Sequence, residues 1–191
     1  MKQLFTLATI VFALTSCSKN DKPVHMAPPM QYIDLKESTI EINTYKQIDV
    51  DGDDKTDFTF STLLVGDPVL KRDELHFYAY SHTHSLLLNN EHDESPVLKK
   101  DELIPVIQND FTWYELSAIL LVEKLMYPDE SVFWDGLWKN ANHRFLPIQV
   151  RKDGKSYFGW IEMSFDKEAE KLILHKAAIC KEPNRAVKAG S

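Results

Sequence analysis

Cysteine is scarce in this 191-residue chain: there are two, Cys17 and Cys180. Basic clusters are missing as well. Acidic residues outnumber lysine and arginine 29 to 22, for a formal net charge of −7. No run of positive residues exists to neutralise phosphates, which argues against nucleic acid or an anionic membrane face as a partner. No apolar stretch is long enough to span a bilayer as a helix. Also absent are G-x-S-x-G, a phosphate-binding P-loop, H-E-x-x-H, C-x-x-C and any internal repeat, so no familiar catalytic or repeat architecture announces itself. Glu115 and Glu123, read on one helix, would lie about 12 Å apart, beyond either glycosidase spacing.

The longest apolar run, Leu4 to Leu14, follows Lys2 and precedes small residues. That order is the layout of a secretory signal. Leu14-Thr15-Ser16-Cys17 resembles the lipobox of bacterial lipoproteins, which implies cleavage after Ser16 and acylation of Cys17. An ordinary cleaved signal with a chance cysteine is the alternative. On the lipoprotein reading residues 1–16 are the signal, and residues 17–30 are the lipidated cysteine and a proline-rich tether. Residues 31–191 then form a single β-rich domain. The tether, "SKNDKPVHMAPPM", would reach roughly 40 Å at ~3.1 Å per residue. The implied location is the outer membrane, facing the periplasm or the cell surface, with the membrane engaged through Cys17. Cys180 would then be the only thiol, without a disulfide partner, at a strand end where it reads as buried and inert. Stability would then come from packing, with a bound metal as a second source.

From Tyr32 the pattern is mainly β. "TIEINTYKQIDV" and "DFTFSTLLV" flank an acidic loop as a hairpin would. In "DELHFYAYSHTH", Leu75, Phe77 and Ala79 alternate with His76, Tyr78, Tyr80, His82 and His84. "HRFLPIQVRKDGKSYFGWIEMSFD" predicts a hairpin turning at Asp153-Gly154, with Pro147 placing its first strand at a sheet edge. A last strand covers Lys171 to Cys180. The exception is Trp113 to Met126, where Thr112 and Glu115 form a T-x-x-E capping box ahead of "LSAILLVEKLM" and Pro128. This predicts a helix, although Ile119 to Val122 also suits a buried strand. The expected fold is an antiparallel β-sandwich with one inserted α-helix.

The acidic loop, "IDVDGDDKTDF", carries Asp49, Asp51, Asp53 and Asp57. Calcium takes six to eight oxygen ligands, and alternating carboxylates plus the Lys55 carbonyl would supply most of them. Without a cation those carboxylates repel one another. An acidic, solvated hairpin is the alternative. The loop resembles the D-x-D-G-D-G-x-x-D-hydrophobic calcium motif of FG-GAP repeats at Asp49, Asp51, Gly52, Asp53, Asp57 and Phe58. It departs at Asp54, where the family has glycine in a left-handed conformation. An EF-hand would need glycine at position 6 and glutamate at 12, and has neither here. The resemblance implies one structural Ca²⁺ held by Asp49, Asp51, Asp53, Lys55 and Asp57.

"YFGWIEMSFD", "KLILHKAAI" and "EPNRAVKAGS" resemble the Y-G-W hairpin and alanine-glycine ending of secreted or lipid-anchored β-proteins, notably of Bacteroidetes. Ala178 stands where that group has tyrosine. The group implies fold and location and no activity. "CSKNDK" resembles the polar tag that directs such lipoproteins to the cell surface.

Two further constellations could carry chemistry. The strand face from His76 to His84 would bind zinc only with a third ligand such as His92 or His143, and is otherwise an ordinary half-exposed face. Trp134 and Trp138, in "SVFWDGLWKN" with Asp135 and Asn140 nearby, would form a stacking platform for sugar rings unless they pack in the core. The sequence thus points to a lipid-anchored envelope protein with a structural calcium loop and a binding or structural role toward a glycan or envelope protein. A carbohydrate-binding surface lipoprotein is the second reading, and a hydrolase without a recognisable motif the third.

Overall fold

The computed structural model describes residues 27–104 and 110–191. The expected signal, Cys17 and most of the expected tether lie outside the described residues. Thirteen strands run at Met30–Ile40 (β1), Tyr45–Ile48 (β2), Phe58–Asp67 (β3), Arg72–Ser81 (β4), Ser85–Asn89 (β5), Leu103–Ile104 (β6), Thr112–Glu115 (β7), Ala118–Met126 (β8), Val132–Asp135 (β9), Arg144–Lys152 (β10), Lys155–Asp166 (β11), Lys171–Cys180 (β12) and Val187–Lys188 (β13). Met30, which the sequence assigns to the tether, opens β1 by pairing with Cys180.

Every pairing is antiparallel. One sheet has the order β1-β12-β11-β10-β5-β7, a second β2-β3-β4-β8-β9, and β13 and β6 form a small ribbon. The two large sheets share one core. Phe58, Phe60, Phe77 and Ile119 from the five-stranded sheet meet Ile148, Ile161, Met163 and Leu174 from the six-stranded one. Phe77 and Phe165 touch edge to face across it, with ring centroids 5.0 Å apart. This is a sandwich-like arrangement, as the alternating strands led us to expect. The six-stranded sheet also carries a second cluster on its outer face, where Phe158, Trp160, Ala178 and Cys180 lie under Leu98, Ile104 and Val187. Where that cluster covers the outer face, 157–161 of β11 and 177–180 of β12 read as continuous apolar runs and not as clean alternation.

The expected helix is not there. No helix occurs among the described residues, and Trp113 to Met126 falls in β7 and β8. Leu116, at φ 54, breaks the run between the two strands. Glu115 does not cap a helix; its carboxylate accepts the backbone N–H of His84 at 2.6 Å. β8 lies between β4 and β9 and buries Ile119, Leu121 and Val122. Two neighbouring strands satisfy its backbone and two β-branched residues suit the pleat, so sheet pairing overrides a local helix signal.

The hairpin at Asp153-Gly154 forms as expected, with φ 50 and 71 at the two turn residues, the signature of a type I′ turn. Its first strand is not an edge, because β10 lies between β11 and β5. Pro147 is tolerated because the β5 ladder covers only Ile148 to Val150, while the Leu98 bridge binds Phe145. The missing N–H of Pro147 faces the gap between them.

Candidate metal centre

The β2–β3 hairpin closes with Ile48 opposite Phe58, and the acidic loop fills the turn between them. Asp49 organises the backbone. Its Oδ1 accepts N–H groups from Asp51 (3.2 Å) and Gly52 (2.7 Å), and its Oδ2 accepts that of Asp54 (2.8 Å). Asp54 adopts φ 64, the left-handed conformation that the calcium motif gives to glycine and that aspartate tolerates better than most residues.

Asp57 lies at the back of the loop and is 6% exposed. One oxygen accepts the Val50 N–H at 2.8 Å and the other the Ser85 hydroxyl at 2.7 Å. Burial pushes its carboxyl above the ordinary aspartate range, against those two hydrogen bonds, and the charges of Asp51 and Asp49 push it further up. Asp51 has one oxygen on Lys152 Nζ at 2.7 Å, and this hydrogen bond raises the Lys152 ammonium above its ordinary value. The other Asp51 oxygen, Oδ1, is buried without a hydrogen-bond partner.

Donor oxygens of Asp49, Asp51 and Asp57 all fall within 4.8 Å of one another, a set that could hold a metal ion. Asp53, also an expected ligand, is not in that group. Asp53 turns to Lys55, accepting both its N–H and its ammonium at 3.0 Å, and the hydrogen bond to the ammonium lowers the Asp53 carboxyl below its usual range. The donor set fits a hard cation: three carboxylates, one with an orphaned buried oxygen, and no sulfur or imidazole.

A second group lies on the outer face of β4 and β8. His76 pairs with Glu123 across the strands, its Nε2 being 2.9 Å from Glu74 and 3.5 Å from Glu123. Arg72 holds the other Glu74 oxygen at 2.7 Å, and Tyr78 OH is 3.2 Å from His76 Nδ1. The His-Tyr alternation of β4 was legible, but the histidines of that stripe are not gathered into one group. His82 and His84 lie past the strand end, and His82 bonds Thr59 at 2.8 Å.

Trp134 and Trp138 are not a joint platform. Trp138 is fully buried and donates its indole N–H to the Ser95 carbonyl at 3.1 Å, so neither ring face is open to a sugar. Trp134 packs against Phe165 at 5.2 Å, with Lys124 5.8 Å from its ring centre. Trp138 follows Gly136, which lets the chain turn inward beside the β8 backbone; a side chain there would strike the Leu121 carbonyl at 2.5 Å.

No family model, no curated protein and no solved structure matches this chain.

Proposed function

We propose that the chain is a lipid-anchored protein of the cell envelope, tethered through Cys17 to the outer membrane, on its periplasmic or outer side. Its role is binding or structural, and its acidic loop holds one structural Ca²⁺. The observation that carries the calcium reading is the buried, unpartnered Asp51 Oδ1 among three converging carboxylates. A buried anionic oxygen without a partner is costly, and a hard cation would remove that cost. Asp49, Asp51 and Asp57 are the protein ligands, with water completing the shell. Asp53 joins only if the Asp53–Lys55 pair opens, and the Lys55 carbonyl is the remaining proposed ligand. Bound calcium would neutralise the loop and clamp the β2–β3 hairpin, and it has no catalytic part.

At ~1 mM calcium, a dissociation constant of ~10–100 μM would stabilise the fold by roughly 1.4–2.7 kcal/mol through mass action. The expected result is a higher melting temperature for the wild type in calcium than in chelator, and no difference for Asp51→Ala. Magnesium should do less, since it demands octahedral geometry that a flexible carboxylate loop meets poorly. Equal melting of the wild type in calcium and chelator, with no calorimetric heat at millimolar calcium, would refute the proposal.

A further inference from the structure

A chain of hydrogen bonds crosses the outer face of the six-stranded sheet, on strands that take no part in the acidic loop. His175 is the extra residue of a bulge. Lys176 pairs with Glu162 and Leu174 with Met163, so His175 has no partner on β11. On its other side β1 is out of step as well, with Asp34 opposite Lys176 and Ser38 opposite Leu174. Lys36 and Glu37 absorb the surplus at φ 56 and 53. Leu174 and Ala177 both remain in the core, which leaves the outer face to the residues between them. Bulges re-aim side chains, and non-glycine residues at positive φ are uncommon and carry a cost.

The result of these two irregularities is a specific alignment. Glu37 Oε2 lies 2.7 Å from His175 Nδ1, and Ser164 Oγ lies 2.8 Å from His175 Nε2. A carboxylate only accepts, so Nδ1 carries the proton and Nε2 of the neutral ring is a bare acceptor. Ser164 Oγ already accepts the His143 backbone N–H at 2.8 Å, so its own proton is directed to Nε2. The imidazole is held from a third side by His143, stacked on it at 4.2 Å and 19° and itself 2.8 Å from Glu162. Ser164, 9% exposed, and the largely buried His175 border an open groove of about 550 Å³, together with Asn142 and Lys167.

We propose that Ser164, His175 and Glu37 are a nucleophile, a base and its orienting carboxylate, and that the groove is an acyl-transfer site for esters. Such triads recur on unrelated folds and are recognised by geometry and role, not by sequence motif. Ser164 Oγ attacks the ester carbonyl carbon while its proton passes to His175 Nε2. The tetrahedral oxyanion needs a hydrogen-bond donor; Asn142 and Lys167 line the same groove, the Lys167 ammonium resting on Asn140 Oδ1 at 2.6 Å. Glu37 stabilises the imidazolium. Cleavage of the bond to the alcohol oxygen releases the alcohol with the proton from Nε2, leaving the acyl group on Ser164. Water then attacks, gives a proton to Nε2, and Oγ departs as the hydroxyl with that same proton. Ester and water become acid and alcohol, with no redox partner.

The test is labelling of the full chain with a fluorophosphonate, in which a serine Oγ–P bond forms and fluoride leaves. We expect one adduct, mapped to Ser164, and hydrolysis of p-nitrophenyl acetate that is lost in Ser164→Ala. Labelling should slow by about 10²-fold or more in His175→Gln, the usual scale for losing a general base. Glu37→Gln should slow it by about tenfold at an unchanged melting temperature, because Glu37 is exposed and its loss orients the ring less well without opening the core. Folded wild-type protein that resists labelling at Ser164 would overturn the proposal. So would equal labelling rates in wild type and His175→Gln. A hydrogen-bond chain with only a structural role would give those results while lowering the melting temperatures of the variants.

Discussion

Burial and hydrogen bonding act against each other at Asp57. Its carboxyl is raised above the ordinary range chiefly because ionising it inside the hairpin forfeits water, and Ser85 and Val50 offset only part of that cost. An acid whose folded value is raised binds more protons folded than unfolded. Its contribution to stability is therefore complete below the unfolded value and is lost as pH rises through the folded one. Asn at this position keeps one acceptor for the Val50 N–H and offers its NH₂ to the Ser85 oxygen, without a charge. In chelator, Asp57→Asn should therefore gain in melting temperature relative to wild type as pH rises above about 4, the ordinary aspartate value. In calcium the order should reverse, because the variant loses a ligand. A wild-type-minus-variant difference that stays flat with pH in chelator would show that Asp57 bears no ionisation cost. Lys152, 2.7 Å from Asp51, offsets part of the loop's charge and would compete with a bound cation for that carboxylate.

The elements of the six-stranded sheet depend on one close approach. Gly159, the glycine of the Y-F-G-W run, faces Ile179 across the β11–β12 ladder. A Cβ there would come within 2.1 Å of the Ala178 carbonyl oxygen, a backbone atom that moves only if the strands part. Gly159→Ala should therefore cost about 3 kcal/mol or more, at or above the upper end of usual overpacking penalties. Gly154 has a different reason. It occupies the left-handed position of the hairpin turn, φ 71, and a methyl group added there would meet nothing within 4 Å. Gly154→Ala should cost about 1–2 kcal/mol, the strain of a left-handed residue alone. Urea melts of both variants check the ranking, and a Gly159→Ala domain as stable as Gly154→Ala would mean the strands can separate freely. The same sheet shows why β12 was only partly legible. Its ends were readable from apolar composition, but the bulge at His175 arises from pairing with β1 and β11 together, and a single strand carries no mark of it.

For the whole molecule, the proposed anchor and the sandwich make separate claims. If Cys17 is lipidated, acyl chains at ~0.8 kcal/mol per buried methylene hold the protein at the membrane. Cys17→Ala should then move it from the detergent phase to the soluble fraction with its melting temperature unchanged, since the domain's core begins near β1. Unchanged partitioning of the variant would exclude the anchor. The fold itself rests on a core drawn from both sheets, with Trp138 among its largest fully buried side chains. A polar-looking neighbourhood in the sequence hid that burial, because Asp135, Lys139 and Asn140 stay toward solvent while the indole turns in.

Alternation in β4, the Asp153-Gly154 turn and the acidic β2–β3 loop were set by local chemistry: side-chain period, left-handed turn residues and closely spaced carboxylates act within a few residues. Which carboxylates converge was decided in three dimensions, where Lys55 takes Asp53 out of the group and Ser85 and Val50 hold Asp57 in it. The helix expected at Trp113 to Met126 failed for the same reason, since partners on β4, β5 and β9 outweigh a local capping signal. The Ser164–His175–Glu37 alignment lies wholly on this second side. Its members sit on three strands, Glu37 and His175 138 residues apart, and only the joint register of those strands puts their hydrogen-bonding atoms within reach.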